Sequence, residues 1–74
     1  MKPITLDKNE MNMYLAVRRS DDGCTYVDFS TASGSAEGAR WNASDRDKAI
    51  PGWAKANRQV GIAKARLIVE EVMR

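Results

Sequence analysis

Hydrophobic positions alternate strictly along the first part of the chain: Met11, Met13, Leu15 and Val17, with Asn12, Tyr14 and Ala16 between them. A period of two with aromatic and β-branched residues predicts a half-buried strand over residues 11–18. A second alternating run, residues 25–31, places Val27 and Phe29 on one side. Ser20-Asp21-Asp22-Gly23 separates the two runs and is rich in turn formers. The hydrophobic pattern then decides the register. A two-residue loop at Asp22-Gly23 sets Val17 against Asp28 and mixes apolar with charged residues on one face. A three-residue loop, with a type I turn at Asp21-Asp22 and Gly23 left-handed, pairs Val17 with Val27 and Leu15 with Phe29. Slipping a strand by one residue flips every side chain, so the three-residue loop is predicted. The apolar set of this hairpin is expected to form the core. Tyr14, Ala16, Arg18, Tyr26, Asp28 and Ser30 are expected on the open face, with Arg18 across from Tyr26.

Residues 32–38 are small and polar, which predicts a flexible loop. Residues 39–43 read as a short third strand with Trp41 toward the core and Arg40 outward. Ser44, followed by Asp45 and Asp47, has the chemistry of a helix start, and a short helical piece is expected near residues 45–50. Pro51 suits the first turn of a helix, so a long helix is predicted from Pro51 to Met73. Two stripes at helical spacing support it: Trp53, Ala56, Val60, Ala63 and Leu67, and about a third of a turn away Ala54, Gly61, Ala65, Ile68 and Val72. The expected fold class is α+β. A three-stranded antiparallel sheet, made of the hairpin and the short third strand, packs on one long C-terminal helix and a short helix.

Composition narrows the function classes. With 74 residues the chain is expected to form one domain, residues 1–74. At this size about 60% of the unfolded surface is buried, and stability is expected at about 4–11 kcal/mol. The sequence contains no histidine and a single cysteine, Cys24. A histidine-based triad is impossible, and metal sites built on histidine and cysteine clusters are excluded. No P-loop or dinucleotide fingerprint occurs. The expectation is a binding protein rather than an enzyme, without cofactor or metal. Asp21 and Asp22 are read as turn formers and Cys24 as a small filler. The first seven residues lack the long apolar stretch of a signal peptide, and a reduced cytoplasmic setting is expected. The net charge is +2 but uneven: residues 1–39 carry four basic and six acidic side chains, residues 40–74 eight basic and four acidic.

Two resemblances bear on the partner. Residues 13–17 before an Asp22-Gly23 hairpin, then Gly38-Ala39-Arg40 leading into a helix capped by Ser44, resemble the small type I-F anti-CRISPR proteins of phages in the order and spacing of elements. That likeness, over residues 11–73, implies a sheet packed on helices that docks on an RNA-guided surveillance complex and blocks its binding of target DNA. The family's interface tyrosines and acid fall on Leu6, Arg18 and the neighbourhood of Thr31, so no interface residue carries over. The candidate partner-binding residues are therefore those of the open face, Tyr14, Arg18, Tyr26 and Asp28, together with Arg40. Aromatic and arginine side chains are the usual interface anchors. A three-stranded sheet followed by a helix is also similar to AP2-like and integrase arm-binding domains. That likeness implies nucleic-acid binding, with Arg18, Arg19, Arg40, Lys48, Lys55 and Arg58 on phosphates. Asp21, Asp22 and Asp28 on the hairpin, and a net charge of only +2, stand against it. Self-association through Gly61 and Ala65 is a third reading.

Overall fold

The computed structural model describes residues 6–73, and residues 1–5, the start of the segment read for a leader, lie outside them. Five elements follow in order: strands β1 (Glu10–Ser20) and β2 (Thr25–Ser33), helices α1 (Ala36–Ala49) and α2 (Pro51–Ala56), and strand β3 (Asn57–Ile68). The sheet is antiparallel with order β2-β1-β3. This is the α+β arrangement expected from the sequence, with two of its elements exchanged in position.

The hairpin follows its pattern. Val17 pairs with Val27 and Arg18 with Tyr26. Gly23 has φ +89°, and its amide donates to the Ser20 carbonyl at 2.9 Å, closing the three-residue loop. Glycine is needed there because a Cβ disfavours left-handed backbone. Asp22 supports the turn, its carboxylate accepting from the Cys24 amide at 3.1 Å and from the Ser20 hydroxyl.

Beyond Ala16 the two strands depart from simple pairing. Tyr14 pairs with Ser33 but Ala16 with Asp28, so residues 29–32 stand against Leu15 alone. The expected Leu15–Phe29 pair gives way to this bulge. Thr31 holds it: its buried hydroxyl accepts from the Ala16 amide at 2.7 Å and donates to the Asp28 carbonyl at 2.6 Å. A side chain thereby replaces the ladder bonds that the extra residues remove. Thr31→Val keeps the shape and deletes both bonds, leaving the Ala16 N–H buried and unpaired. Urea unfolding is expected to register a loss of about 1–3 kcal/mol.

Residues 39–43, expected as a strand, belong to α1. Ala36, Ala39 and Ala43 recur at helical spacing, and alanine is the best helix former. The cap is Ser35, whose hydroxyl accepts from the Gly38 amide at 3.0 Å; Ser44, expected to start the helix, lies inside it. Gly38 brings this end against β2, since a Cβ there would stand 2.0 Å from the Ser33 hydroxyl oxygen. Ala39 and Ala43 are fully buried, whereas Trp41 points outward and is 65% exposed, the reverse of its expected orientation.

The long helix expected over residues 51–73 is also corrected. Pro51 does open a helix, but α2 stops at Ala56 and the chain turns into β3. β1 is the central strand, and its second edge needs a partner. β3 supplies eleven paired positions, from Glu10↔Ile68 to Ser20↔Asn57, with Val60 as an extra residue at a bulge. Val60, Gly61 and Ile62 are poor helix formers, so ladder bonding overrides the helical stripes.

Both helices lie on the sheet face that carries Ala16, Arg18 and Asp28. The buried apolar residues among those described are Leu15, Ala16, Ala39 and Ala43. The molecule is elongated, 50 × 22 × 21 Å. Its radius of gyration is 15.6 Å, against about 11 Å for a compact chain of this length.

Candidate partner-binding surfaces

The face expected to be open is the one the helices cover. Arg18 has no exposed surface and Asp28 is nearly as deep. The Arg18 Nε donates to Asp28 Oδ2 at 2.8 Å. Its Nη1 donates to Asp47 Oδ1 at 2.8 Å and to the Asn57 carbonyl at 3.0 Å, and its Nη2 to the Ala43 carbonyl at 3.4 Å. The guanidinium also lies over Trp53, 4.7 Å from the ring centroid. One side chain from β1 thus ties down β2, α1, α2 and β3. Arg46 of α1 joins the cluster, 3.4 Å from Asp28 and 4.5 Å from the centroid of Trp53. Gln59 donates to the second oxygen of Asp47 at 2.7 Å.

The electrostatics follow from this packing. Burial works against the charge of Arg18, but the hydrogen bonds and charges of Asp28 and Asp47 outweigh it and hold the pKa above its ordinary value. Burial likewise opposes the charge of Asp28. The Ser30 hydroxyl, the Arg18 guanidinium and the Ser30 amide prevail, and its carboxyl sits below the usual carboxylate range. The arrangement is a charged clamp in which Arg18 and Asp28 find their hydrogen-bond partners internally, while the buried Nε of Arg46 has no hydrogen-bond partner and approaches Asp28 only at 3.4 Å.

The sequence-predicted site residues therefore separate. Arg18 and Asp28 are buried, because the helix side facing the sheet presents Ala39 and Ala43, small residues followed by Arg46 and Asp47. Such a face leaves room for a guanidinium and complements its charge. It is too small to cover methionine, leucine and phenylalanine, so the apolar side of the hairpin turns away. Tyr14 is half-buried. Tyr26 is half-buried too, its hydroxyl donating to Asn57 Oδ1 at 2.6 Å. Arg40 is exposed on α1 rather than on a strand.

Among the described residues, two uncovered surfaces bear on partner binding. The first is the outer side of α1, where Glu37, Arg40, Trp41, Ser44, Asp45 and Lys48 line a hollow of about 320 Å³. Their spacing is the complement of Ala39 and Ala43, so helical geometry forces them outward. The second is the apolar sheet face. Phe29 is 79%, Met11 50% and Leu67 48% exposed, around the buried Leu15. The sequence signal for Trp41 was present: it lies about half a turn from the Ala39–Ala43 stripe once Ser35 is taken as the cap.

Among the described residues, no group of three or more histidine, cysteine, aspartate and glutamate side chains is placed to hold a metal ion. No helix among them is long and apolar enough to cross a membrane. The chain matches no protein-family model, and no curated protein or solved structure matches it.

Proposed function

We propose that the chain is a non-catalytic binding protein that docks on a partner protein through the outer face of α1, with Trp41 and Arg40 as anchors. The observation that carries this reading is an indole left 65% exposed beside an arginine, at the rim of a hollow on a well-capped helix. Tryptophan and arginine dominate interface hot spots, and a helix holds them rigidly. The hollow is lined by two acids, Glu37 and Asp45, and two bases, Arg40 and Lys48. Balanced charge around an aromatic suits an apolar side chain framed by mixed polar groups on a protein. A polyanion would meet two carboxylates there.

Inhibition of an RNA-guided surveillance complex is the particular form of this function that the anti-CRISPR resemblance implies. The nucleic-acid alternative draws less support. Of its six cations Arg18 is buried, and Arg19, Arg40, Lys48, Lys55 and Arg58 are spread over four elements.

The test is capture of partners from host lysate on immobilised wild-type chain, Trp41→Ala and Arg40→Ala. A protein retained by wild type and reduced at least about tenfold by Trp41→Ala supports the reading. Equal retention by all three removes α1 as the docking face. Micromolar binding of duplex DNA that weakens steeply with salt replaces the protein reading with the nucleic-acid one.

A further inference from the structure

We infer that the apolar sheet face, on the side opposite α1, is the interface of a homodimer, and that Phe29 of each copy seats in the other. Four observations lead there.

The first is area. The chain exposes 5796 Å², whereas a folded monomer of this mass exposes about 4500 Å². The excess, about 1300 Å², is spread over the whole chain, the exposed ends outside the strands included, and the uncovered sheet face contributes to it an area that a standard interface of roughly 800 Å² per partner could use.

The second is chemistry. β1 and β3 pair Met11 with Leu67, Met13 with Ala65, and Val17 with Gly61 on this face, and β2 adds Phe29. Arg66, 3.7 Å from Glu10, is the charged side chain among the residues that line the hollow on this face. Such a mainly apolar patch offers a charged partner little to recognise, whereas an identical apolar patch matches it.

The third is shape. A hollow of about 260 Å³ lies beside Phe29, lined also by Met13, Leu15, Ala32, Ala65 and Leu67, with Arg66 contributing to its wall. The projecting phenyl and the hollow sit on the same patch. A two-fold axis uses one surface twice, so knob and hole on one face are what an isologous interface requires. This self-complementarity selects a second copy over an unrelated partner.

The fourth is the core. Among the described residues, the helices cover one side of the sheet, and of the four buried apolar residues three are alanines, Leu15 being the fourth. Stacking two such sheets face to face, about 10 Å apart, would build a core of methionine, leucine, valine and phenylalanine between them.

Sedimentation equilibrium of the full chain tests this. Wild type is expected at twice its 8.2 kDa chain mass in the micromolar range. Phe29→Lys and Leu67→Lys each change an exposed side chain and are expected to weaken self-association at least about 30-fold, with the far-ultraviolet dichroism unchanged. Trp41→Ala is expected to stay dimeric, which separates this interface from the partner face of α1. A wild-type chain that sediments as a monomer throughout that range overturns the inference. So do folded Phe29→Lys and Leu67→Lys variants that dimerise as wild type does, because association would then run through another surface such as the free edge of β3.

Discussion

Arg18→Met is expected to cost about 3–5 kcal/mol, the range for removing one partner of a buried ion pair. The substitution keeps length and apolar stem. It removes every donor that meets Asp28, Asp47, Ala43 and Asn57. Asp28 then lies buried with Ser30 and the longer 3.4 Å approach of Arg46 as its remaining support. A chain of 74 residues has about 4–11 kcal/mol in total, so much of the population is expected to be unfolded without denaturant. Loss of helical dichroism and a collapsed urea midpoint would report it. Arg18→Lys is expected to recover only part of the loss. One ammonium is a point charge, and it cannot reach Asp28, Asp47 and two carbonyls in the fork geometry of a guanidinium. A fully stable Arg18→Met protein would mean that the clamp contributes nothing, and that Arg18 is free to serve a partner.

That expectation contrasts with a reading of Arg18 as an exposed anchor, and the contrast marks where sequence reasoning stops. Alternation separates the two sides of a strand: Met13, Leu15, Val17 and Phe29 share one face, Ala16, Arg18 and Asp28 the other. It does not say which side a helix will cover. That depends on what the helix brings. Here α1 brings Ala39 and Ala43, then Arg46 and Asp47, so it packs where small and charged residues are its complement. The signal was available in combination. An arginine and an aspartate two places out of register on adjacent strands, and so on one face, match an arginine and an aspartate adjacent in the helix.

Local chemistry was legible where a single residue decides, as at Gly23, whose left-handed backbone sets the loop and the Val17–Val27 register. It was ambiguous where two periods coexist. Residues 57–68 satisfy a helical stripe through Val60, Ala63 and Leu67. They also satisfy a strand alternation through Gly61, Ala63, Ala65 and Leu67. Only the unmet edge of β1 resolves the choice, and that is a tertiary demand. The outer face of α1 was hidden for a related reason. Ser35 and Ser44 are both competent caps, and choosing the later one misplaces Trp41.

The same clamp makes stability depend on acidity through Asp28. Its folded pKa lies below the unfolded value of about 3.9. A depressed carboxyl contributes its stabilisation in full above the unfolded pKa and loses it as the pH falls through the folded one. Wild type is therefore expected to hold its urea midpoint from neutrality down to about pH 5, then to lose stability progressively below about pH 4. Asp28→Asn keeps the shape and removes the charge. At neutral pH it is expected to cost about 1.5–3 kcal/mol, the range for hydrogen bonds to charged groups. Because the asparagine does not titrate, the gap between variant and wild type should close as the solution is acidified. Asp22 is also held below the usual range, first by the Ser20 hydroxyl and then by the Cys24 amide. It lies in solvent at the hairpin tip, so Asp22→Asn is expected to leave the acid transition close to that of wild type. A gap between Asp28→Asn and wild type that stays constant from neutrality to pH 2 would assign the acid sensitivity to another group. A gap that closes ties it to the contact on which β1, β2 and α1 converge.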